Sequence, residues 1–150
     1  MKWLIAKLAL SAFFLALIAI AAAKADPVCE GISGYIPYTT YASPKTIISF
    51  KLSPGHWDCT AALETKSNGA TVQAAMVSLS QTTNKMDEFP RTATSGQSGG
   101  PGFGMSVQTI PVRIETAESP TFNVNAQLYF TGGTVQVRAS YHCVSPTLSN

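Results

Sequence analysis

Hydrophobic and polar residues alternate with a period of two along most of the chain, which is the pattern of half-buried β-strands. In the first clear example, residues 47–64, two alternating runs are separated by Ser53-Pro54-Gly55. Proline fixes φ and removes an N–H donor, and glycine accepts a positive φ, so the chain must reverse or step to another sheet here. The residues expected on the core side are Ile48, Phe50 and Leu52 in the first run and Trp57, Cys59, Ala61 and Leu63 in the second.

A second turn signal follows at Ser67-Asn68-Gly69, and residues 70–80 are predicted to form the return strand. The apolar positions of this strand change parity between Met76 and Val77. Such a change indicates either a β-bulge or a strand that is buried on both faces.

Alternation resumes at Met105 and continues to Cys143, with breaks at Glu118-Ser119-Pro120 and Thr131-Gly132-Gly133. No segment after residue 25 has helical periodicity. We therefore predict an all-β sandwich of roughly seven or eight strands. The polar positions opposite the apolar ones, expected to face solvent or another subunit, include Asn123, Asn125, Gln127 and Gln136.

The first 25 residues have the three-part layout of a secretory signal peptide. Lys2 and Lys7 give a positive start, an apolar run follows, and Ala23-Lys24-Ala25 forms a small-residue cleavage site. We predict cleavage after Ala25 and a secreted or periplasmic protein; the alternative is an uncleaved anchor, since the apolar run is just under the ~18 residues that begin to suggest a spanning helix. The expected organisation is a signal peptide at 1–25, an extended arm at 26–45 and a sandwich domain at 46–150.

The formal net charge of +2 belongs to this leader. Cleavage removes three of the ten Lys and Arg residues, which leaves seven against eight Asp and Glu. The rest of the chain has no basic patch with interleaved aromatic residues, so nucleic acid is not an expected partner.

The three cysteines, Cys29, Cys59 and Cys143, all follow the predicted cleavage site. An oxidising compartment favours a disulfide. Cys59 and Cys143 both fall on the apolar side of their strands, so we predict the bridge Cys59–Cys143. Cys29 would then be free or pair between subunits, and a Cys29–Cys143 bridge is the competing possibility.

Three regions are candidates for contact with a partner. The tyrosines of residues 26–44 either cover the edge of the domain or form an exposed aromatic strip. Residues 81–104 are the longest irregular segment, and long loops on rigid sandwiches commonly carry function. The outer face of the strand near residues 121–130 is uncharged and contains an aromatic ring, as the cores of subunit interfaces do. The candidate contact residues are Tyr35, Tyr38, Tyr41, Phe103, Gln127 and Tyr129.

Candidate catalytic and metal-binding groups are few. Ser98 lies in Gly96-Gln97-Ser98-Gly99-Gly100-Pro101, which matches G-x-S-x-G, but Pro101 cannot begin the helix that a nucleophile elbow requires. Asp58 and His142 are expected to point away from the inward-facing Cys59, so these groups and His56 would not converge on a metal. We expect no catalytic residue, metal or cofactor; a small hydrolase using Ser98 with His56 or His142 is an alternative.

Several motifs resemble those of small jelly-roll domains in tailed-phage virion and tail-associated proteins. They are the Leu52-Ser53-Pro54-Gly55 corner followed by Trp57-Asp58, the Asn68-Gly69 turn, and residues 128–139. The resemblance implies an antiparallel, jelly-roll-like sandwich similar to the trimeric tumour-necrosis-factor and C1q domains, here with an export signal. It therefore also implies a homotrimer.

These observations favour a non-enzymatic β-sandwich domain that binds a protein or glycan partner in the cell envelope or outside the cell. The alternative from another class is a structural protein of a phage virion or surface appendage. Membrane contact is expected only through an uncleaved leader.

Overall fold

The computed structural model describes residues 28–87, 91–95 and 104–146, of which 91–95 are described by their backbone alone. All regular structure in these residues is β-strand. The strands are β1 (Val28–Ile32), β2 (Ile36–Tyr38), β3 (Lys45–Lys51), β4 (Gly55–Asn68), β5 (Thr71–Ser80), β6 (Arg91–Ser95), β7 (Ser106–Gln108), β8 (Val112–Thr116), β9 (Thr121–Thr131) and β10 (Thr134–Val144).

The strands form two antiparallel sheets that pack face to face. In the first sheet β10 lies beside β4, β1 and β2 share the outer side of β10, and β7 and β8 share the outer side of β4. The second sheet has the order β3-β9-β5-β6. β1 and β2 together occupy one edge of the first sheet, and β7 and β8 together occupy the other, so each sheet has four strand positions. The order of these eight positions is that of an eight-stranded jelly roll. The predicted fold class is confirmed.

The hydrophobic core lies between the sheets and follows the predicted parity. Trp57, Cys59, Ala61 and Leu63 of β4 are all buried, and so are Phe50 and Leu52 at the preceding corner. At Ser53-Pro54-Gly55 the chain leaves the second sheet and enters the first, so this corner is a step between sheets.

The Asn68-Gly69 turn also joins different sheets, because β4 lies in the first sheet and β5 in the second. The return strand therefore does not pair with β4, and the interpretation of a local hairpin was wrong. Gly132 and Gly133 carry the chain back from β9 to β10 at the same end of the sandwich. Gly69 and Gly133 both have positive φ, and a Cβ added to Gly133 would lie 2.3 Å from the carbonyl oxygen of Asn68.

The parity change in β5 has both of the suggested causes, but it lies nearer the start of the strand than the predicted position between Met76 and Val77. The register with β9 shifts between Val72 and Ala74, which is a bulge that turns Ala75, Val77 and Leu79 toward the core. The last four residues of the strand, 77–80, are buried on both faces.

The predicted disulfide Cys59–Cys143 is present, with a Cα–Cα distance of 4.1 Å. Both residues are fully buried and lie opposite each other on β4 and β10. Cys29 is free and half-buried. A buried disulfide is consistent with an oxidising extracellular or periplasmic environment.

The segment predicted as an arm is extended, and its strands β1 and β2 pair with β10 as an integral edge of the first sheet. Residues 28–32 and 36–38 are thus part of the sandwich. The predicted signal peptide lies outside the described residues. Within the described part of the chain, no helix is long and apolar enough to cross a membrane.

Candidate binding surface

The outer face of the second sheet is covered by the chain itself. The side-chain amide of Asn125 is fully buried, and its Nδ2 donates to the carbonyl oxygens of Thr82 at 2.8 Å and Lys85 at 2.6 Å. Its Oδ1 accepts a hydrogen bond from Thr46 Oγ1 at 2.7 Å. Asn123 is also buried and donates to the carbonyl oxygen of Ser80. Residues 81–87 therefore fold over this face and use its amides as anchors.

Gln127 and Tyr129 belong to the same covered face. Gln127 Nε2 donates to the carbonyl oxygen of Ala42 at 2.7 Å and to the Tyr129 hydroxyl at 3.0 Å. The ring of Tyr41 packs edge-on against Tyr129, with centroids 5.7 Å apart. These two predicted contact residues are half-buried by intrachain contacts.

The predicted amide-rich subunit face is therefore wrong as a single surface. Asn123, Asn125 and Gln127 lie on the second sheet, whereas Gln136 lies on the first, on the opposite side of the sandwich. Parity correctly predicted that these residues face outward. It could not predict which of the two sheets each strand joins. A homotrimer as such stays a prediction.

Tyr38 is buried, with 2% of its surface exposed, so the proposal that it forms part of an exposed strip was wrong. Its hydroxyl donates to the carbonyl oxygens of Ser43 at 2.6 Å or Ala126 at 3.0 Å, across the interior from β2. Burial raises the pKa of this hydroxyl, so it stays protonated. Tyr38 stabilises the domain and is not available to a partner.

The outer face of the first sheet is open, with no segment of the described chain folded over its strands. Its middle consists of small and polar side chains. One transverse row, for example, runs from Ile32 at the edge through Ser140 and Ala62 to Gln108. Toward the β1–β2 edge it exposes three large hydrophobic side chains: Val28 at 53%, Ile32 at 60% and Tyr35 at 41%. We call Val28, Ile32 and Tyr35, with the small residues beside them, the open face.

Tyr35 is held in place by an ion pair on the open face. The guanidinium carbon of Arg138 lies 4.9 Å from the centroid of the Tyr35 ring. Glu64 Oε2 accepts hydrogen bonds from the Tyr35 hydroxyl at 3.2 Å and from Arg138 Nε at 3.1 Å. The hydrogen bond to Glu64 raises the pKa of Arg138, so the cation persists at all physiological pH values. The exposed ring is thus fixed by a charge pair and a cation–π contact.

The open face contains two shallow depressions. One, of about 320 Å³, lies beside Tyr35 and is lined by Glu64, Lys66 and Ser106 among others. The other, of about 400 Å³, lies beside Ile32 and is lined by Ser140, Tyr141 and His142 among others.

Three cross-strand pairs of ionisable side chains lie on the outer face of the first sheet. Glu30 pairs with His142 at 3.2 Å beside the exposed aliphatic residues. Asp58 pairs with Arg113 at 3.2 Å, and His56 with Glu115 at 3.3 Å, at the far end of β4. Asp58 and His142 lie on the outer face, as predicted from parity, and His56 lies there too. Within the described residues, no three His, Cys, Asp or Glu side chains are grouped so that they could hold a metal ion.

The sequence interpretation missed Val28 and Ile32 because their segment was treated as an arm. Their alternation with Cys29 and Gly31 was the available signal, since it places Val28, Glu30 and Ile32 on one face of a strand. Tyr41 is exposed, although its ring also packs against Tyr129. Phe103 and Ser98 lie outside the described residues.

Comparisons with known proteins give a fold likeness only. No protein-family model matches the sequence, and no curated protein matches it. Among solved structures, a chain from the structure of infectious bursal disease virus, Gx strain, is similar, with a TM-score of 0.47 and 12% identity. The match covers 83% of this chain and 33% of that chain, so the present chain spans about a third of its length. At this level the likeness carries no information about function.

Proposed function

We propose that this chain is an exported, disulfide-bonded jelly-roll domain that acts without catalysis by binding a protein partner through its open face. Export is supported by the signal-peptide pattern of residues 1–25 and by the buried Cys59–Cys143 disulfide.

The observation that carries the binding role is the difference between the two outer faces. Loop 81–87 and the Tyr41–Ala42 segment cover the second sheet, whereas the first sheet leaves Val28, Ile32 and Tyr35 exposed along one edge. Single exposed hydrophobic residues are ordinary on protein surfaces, but a group of them at one edge of one face marks an interaction site.

Tyr35 has the properties of an interface anchor. Tyrosine offers a large amphipathic surface with only two side-chain torsions, and such residues dominate binding energies at protein interfaces. Its contacts with Arg138 and Glu64 fix the ring before a partner arrives, which lowers the entropy lost on binding.

The dimensions of the outer face of the first sheet favour a protein partner. Four strand positions, at about 4.8 Å spacing, and the 14 residues of β4, at about 3.3 Å each, give an area of roughly 900 Å². A standard interface buries about 800 Å² on each partner, so this face is large enough for one. Val28 and Ile32 lie at its β1 edge.

Two glutamate substitutions test this role. Ile32→Glu places a charge in the open face, and Ile110→Glu is the matched control, since Ile110 is 64% exposed in the loop between β7 and β8 at the opposite edge of the same sheet. A tagged, exported chain should lose its co-purifying envelope partner with Ile32→Glu and keep it with Ile110→Glu. Equal retention by both variants would refute a role of the open face.

A second candidate function is that of a repeating structural subunit. It is supported by β1, which among the described strands pairs with β10 alone, and by the resemblance of the motifs at residues 52–58 and 128–139 to virion domains. A building block should give particles or rings with regular repeats in negative-stain images and a multiple of the chain mass in light scattering. A soluble binder should give the mass of one mature chain.

A further inference from the structure

The three cysteines lie in one transverse row across the first sheet. Cys143 on β10 pairs directly with Cys29 on β1 on one side and with Cys59 on β4 on the other. Directly paired residues of antiparallel strands project to the same face, so all three thiol positions point into the sandwich. Cys143 is therefore the central member of a row in which only the Cys59 side is bridged.

The pairing geometry allows a bridge on either side of Cys143. The Cys59–Cys143 pair has a Cα–Cα distance of 4.1 Å, which identifies it as a closely spaced, non-hydrogen-bonded pair. Cys143 then forms the hydrogen-bonded type of pair with Cys29, for which the Cα–Cα distance is about 5.5 Å. This value lies within the range of about 4.4 to 6.8 Å that disulfides require. Cys29 and Cys59 are two strand spacings apart, or roughly 9.5 Å, which is too far for a direct bridge.

The environment of Cys29 places its thiol at the edge of the sandwich, between the two sheets. Cys29 is half-buried, packs against the core and donates a weak hydrogen bond from Sγ to the carbonyl oxygen of Lys51 at 3.8 Å. Burial raises the pKa of the Tyr141 hydroxyl, and so does its electrostatic interaction with the neighbouring Cys29. A protonated tyrosine beside the sulfur can donate to a thiolate there.

We propose that Cys29 is an internal exchange nucleophile that moves the disulfide between Cys59–Cys143 and Cys29–Cys143. The Cys29 thiolate, after losing its proton to solvent, attacks Sγ of Cys143 from the side opposite Cys59. The Cys29–Cys143 bond forms, the Cys59–Cys143 bond breaks, and the Cys59 thiolate leaves and takes a proton. One disulfide and one thiol are present before and after, so no oxidant or reductant is needed.

The exchange changes which part of the fold is covalently tied. The Cys59–Cys143 bridge joins two central strands and leaves the edge strand β1 attached by hydrogen bonds and packing alone. The Cys29–Cys143 bridge ties β1, which carries Val28 and Ile32, to β10. This inference concerns the thiols and stands whether or not the open face binds a partner.

Three serine variants of the exported chain test the row. After oxidation in a glutathione buffer, Cys59→Ser should contain a Cys29–Cys143 bridge and no free thiol, and Cys29→Ser should contain Cys59–Cys143. Cys143→Ser is the matched control and should keep two free thiols, because the outer cysteines cannot reach each other. Peptic digestion at low pH, which stops further exchange, followed by mass spectrometry identifies the bridges.

The wild-type chain tests the exchange itself and does not depend on the folding of any variant. Peptic maps should show Cys59–Cys143 together with a detectable Cys29–Cys143 population, and alkylated thiol on both Cys59 and Cys29. A wild-type map with Cys59–Cys143 alone and all free thiol on Cys29 would overturn the proposal. Two free thiols in folded Cys59→Ser, or a Cys29–Cys59 bridge in Cys143→Ser, would overturn it equally.

Discussion

The hydroxyl of Tyr38 lies 3.0 Å from the carbonyl oxygen of Ala126. A side chain from the edge of the first sheet therefore forms a hydrogen bond with β9 of the second sheet. Tyr38→Phe would remove the donor and leave buried carbonyl oxygens without it. Such a loss costs about 1 to 3 kcal/mol. Urea unfolding should show this decrease for Tyr38→Phe and less than about 0.5 kcal/mol for the exposed control Tyr41→Phe. Equal stabilities of the two variants would contradict the role of Tyr38.

The same hydroxyl predicts a loss of stability at high pH. Burial raises the pKa of Tyr38 in the folded chain above its ordinary value of about 10, so the folded state holds this proton more tightly than the unfolded state. The associated stability is fully present below about pH 10 and is lost as pH rises through the folded pKa. Unfolding free energies between about pH 9 and 11 should fall more steeply for the wild type than for Tyr38→Phe. Parallel curves would refute the linkage.

Gly133 is predicted to be the least replaceable glycine of the Asn68-Gly69 and Gly132-Gly133 turns. Its φ is +46°, and a Cβ would meet the backbone of Asn68 and Gly69 at 2.3 Å, so alanine suffers both a strained conformation and a backbone clash. Gly133→Ala should destabilise the domain by about 2 kcal/mol or more. Gly34→Ala is the control, since nothing lies within 4 Å of its added Cβ. Thermal unfolding with both variants unchanged would show that the two turns do not pack as described.

Removal of the central cysteine is predicted to cost more than removal of an outer one. The Cys59–Cys143 bridge spans a sequence separation of 84, for which chain entropy gives roughly 4 to 5 kcal/mol. Cys143→Ser should lose this stabilisation, whereas Cys59→Ser should retain most of it through Cys29–Cys143. Under reducing conditions the two variants should have nearly equal melting temperatures. A Cys59→Ser chain as unstable as Cys143→Ser under oxidising conditions would argue against the substitute bridge.

Local patterns predicted the core and the disulfide because the direction of a side chain in a strand depends only on its parity. The inward positions of β4 and the Cys59–Cys143 bridge followed from that rule. The pairing partner of each strand could not be predicted in this way, because the Asn68-Gly69 and Gly132-Gly133 turns suit a hairpin and a step between sheets equally well.

The candidate surface was harder to predict for the same reason. Burial of Asn123 and Asn125 depends on the carbonyl groups of loop 81–87, which reach these amides only in the folded chain. The open face depends on the register that places Arg138 beside Glu64, which parity alone does not give.

The central claim, that the open face binds a protein partner, is tested most directly by site-specific photo-crosslinking in the exported chain. A photoreactive amino acid at Ile32 should give one discrete crosslinked product in the native envelope, and the same probe at Ile110 should give none. A discrete product from position 110 with none from position 32, or none from either, would contradict the account.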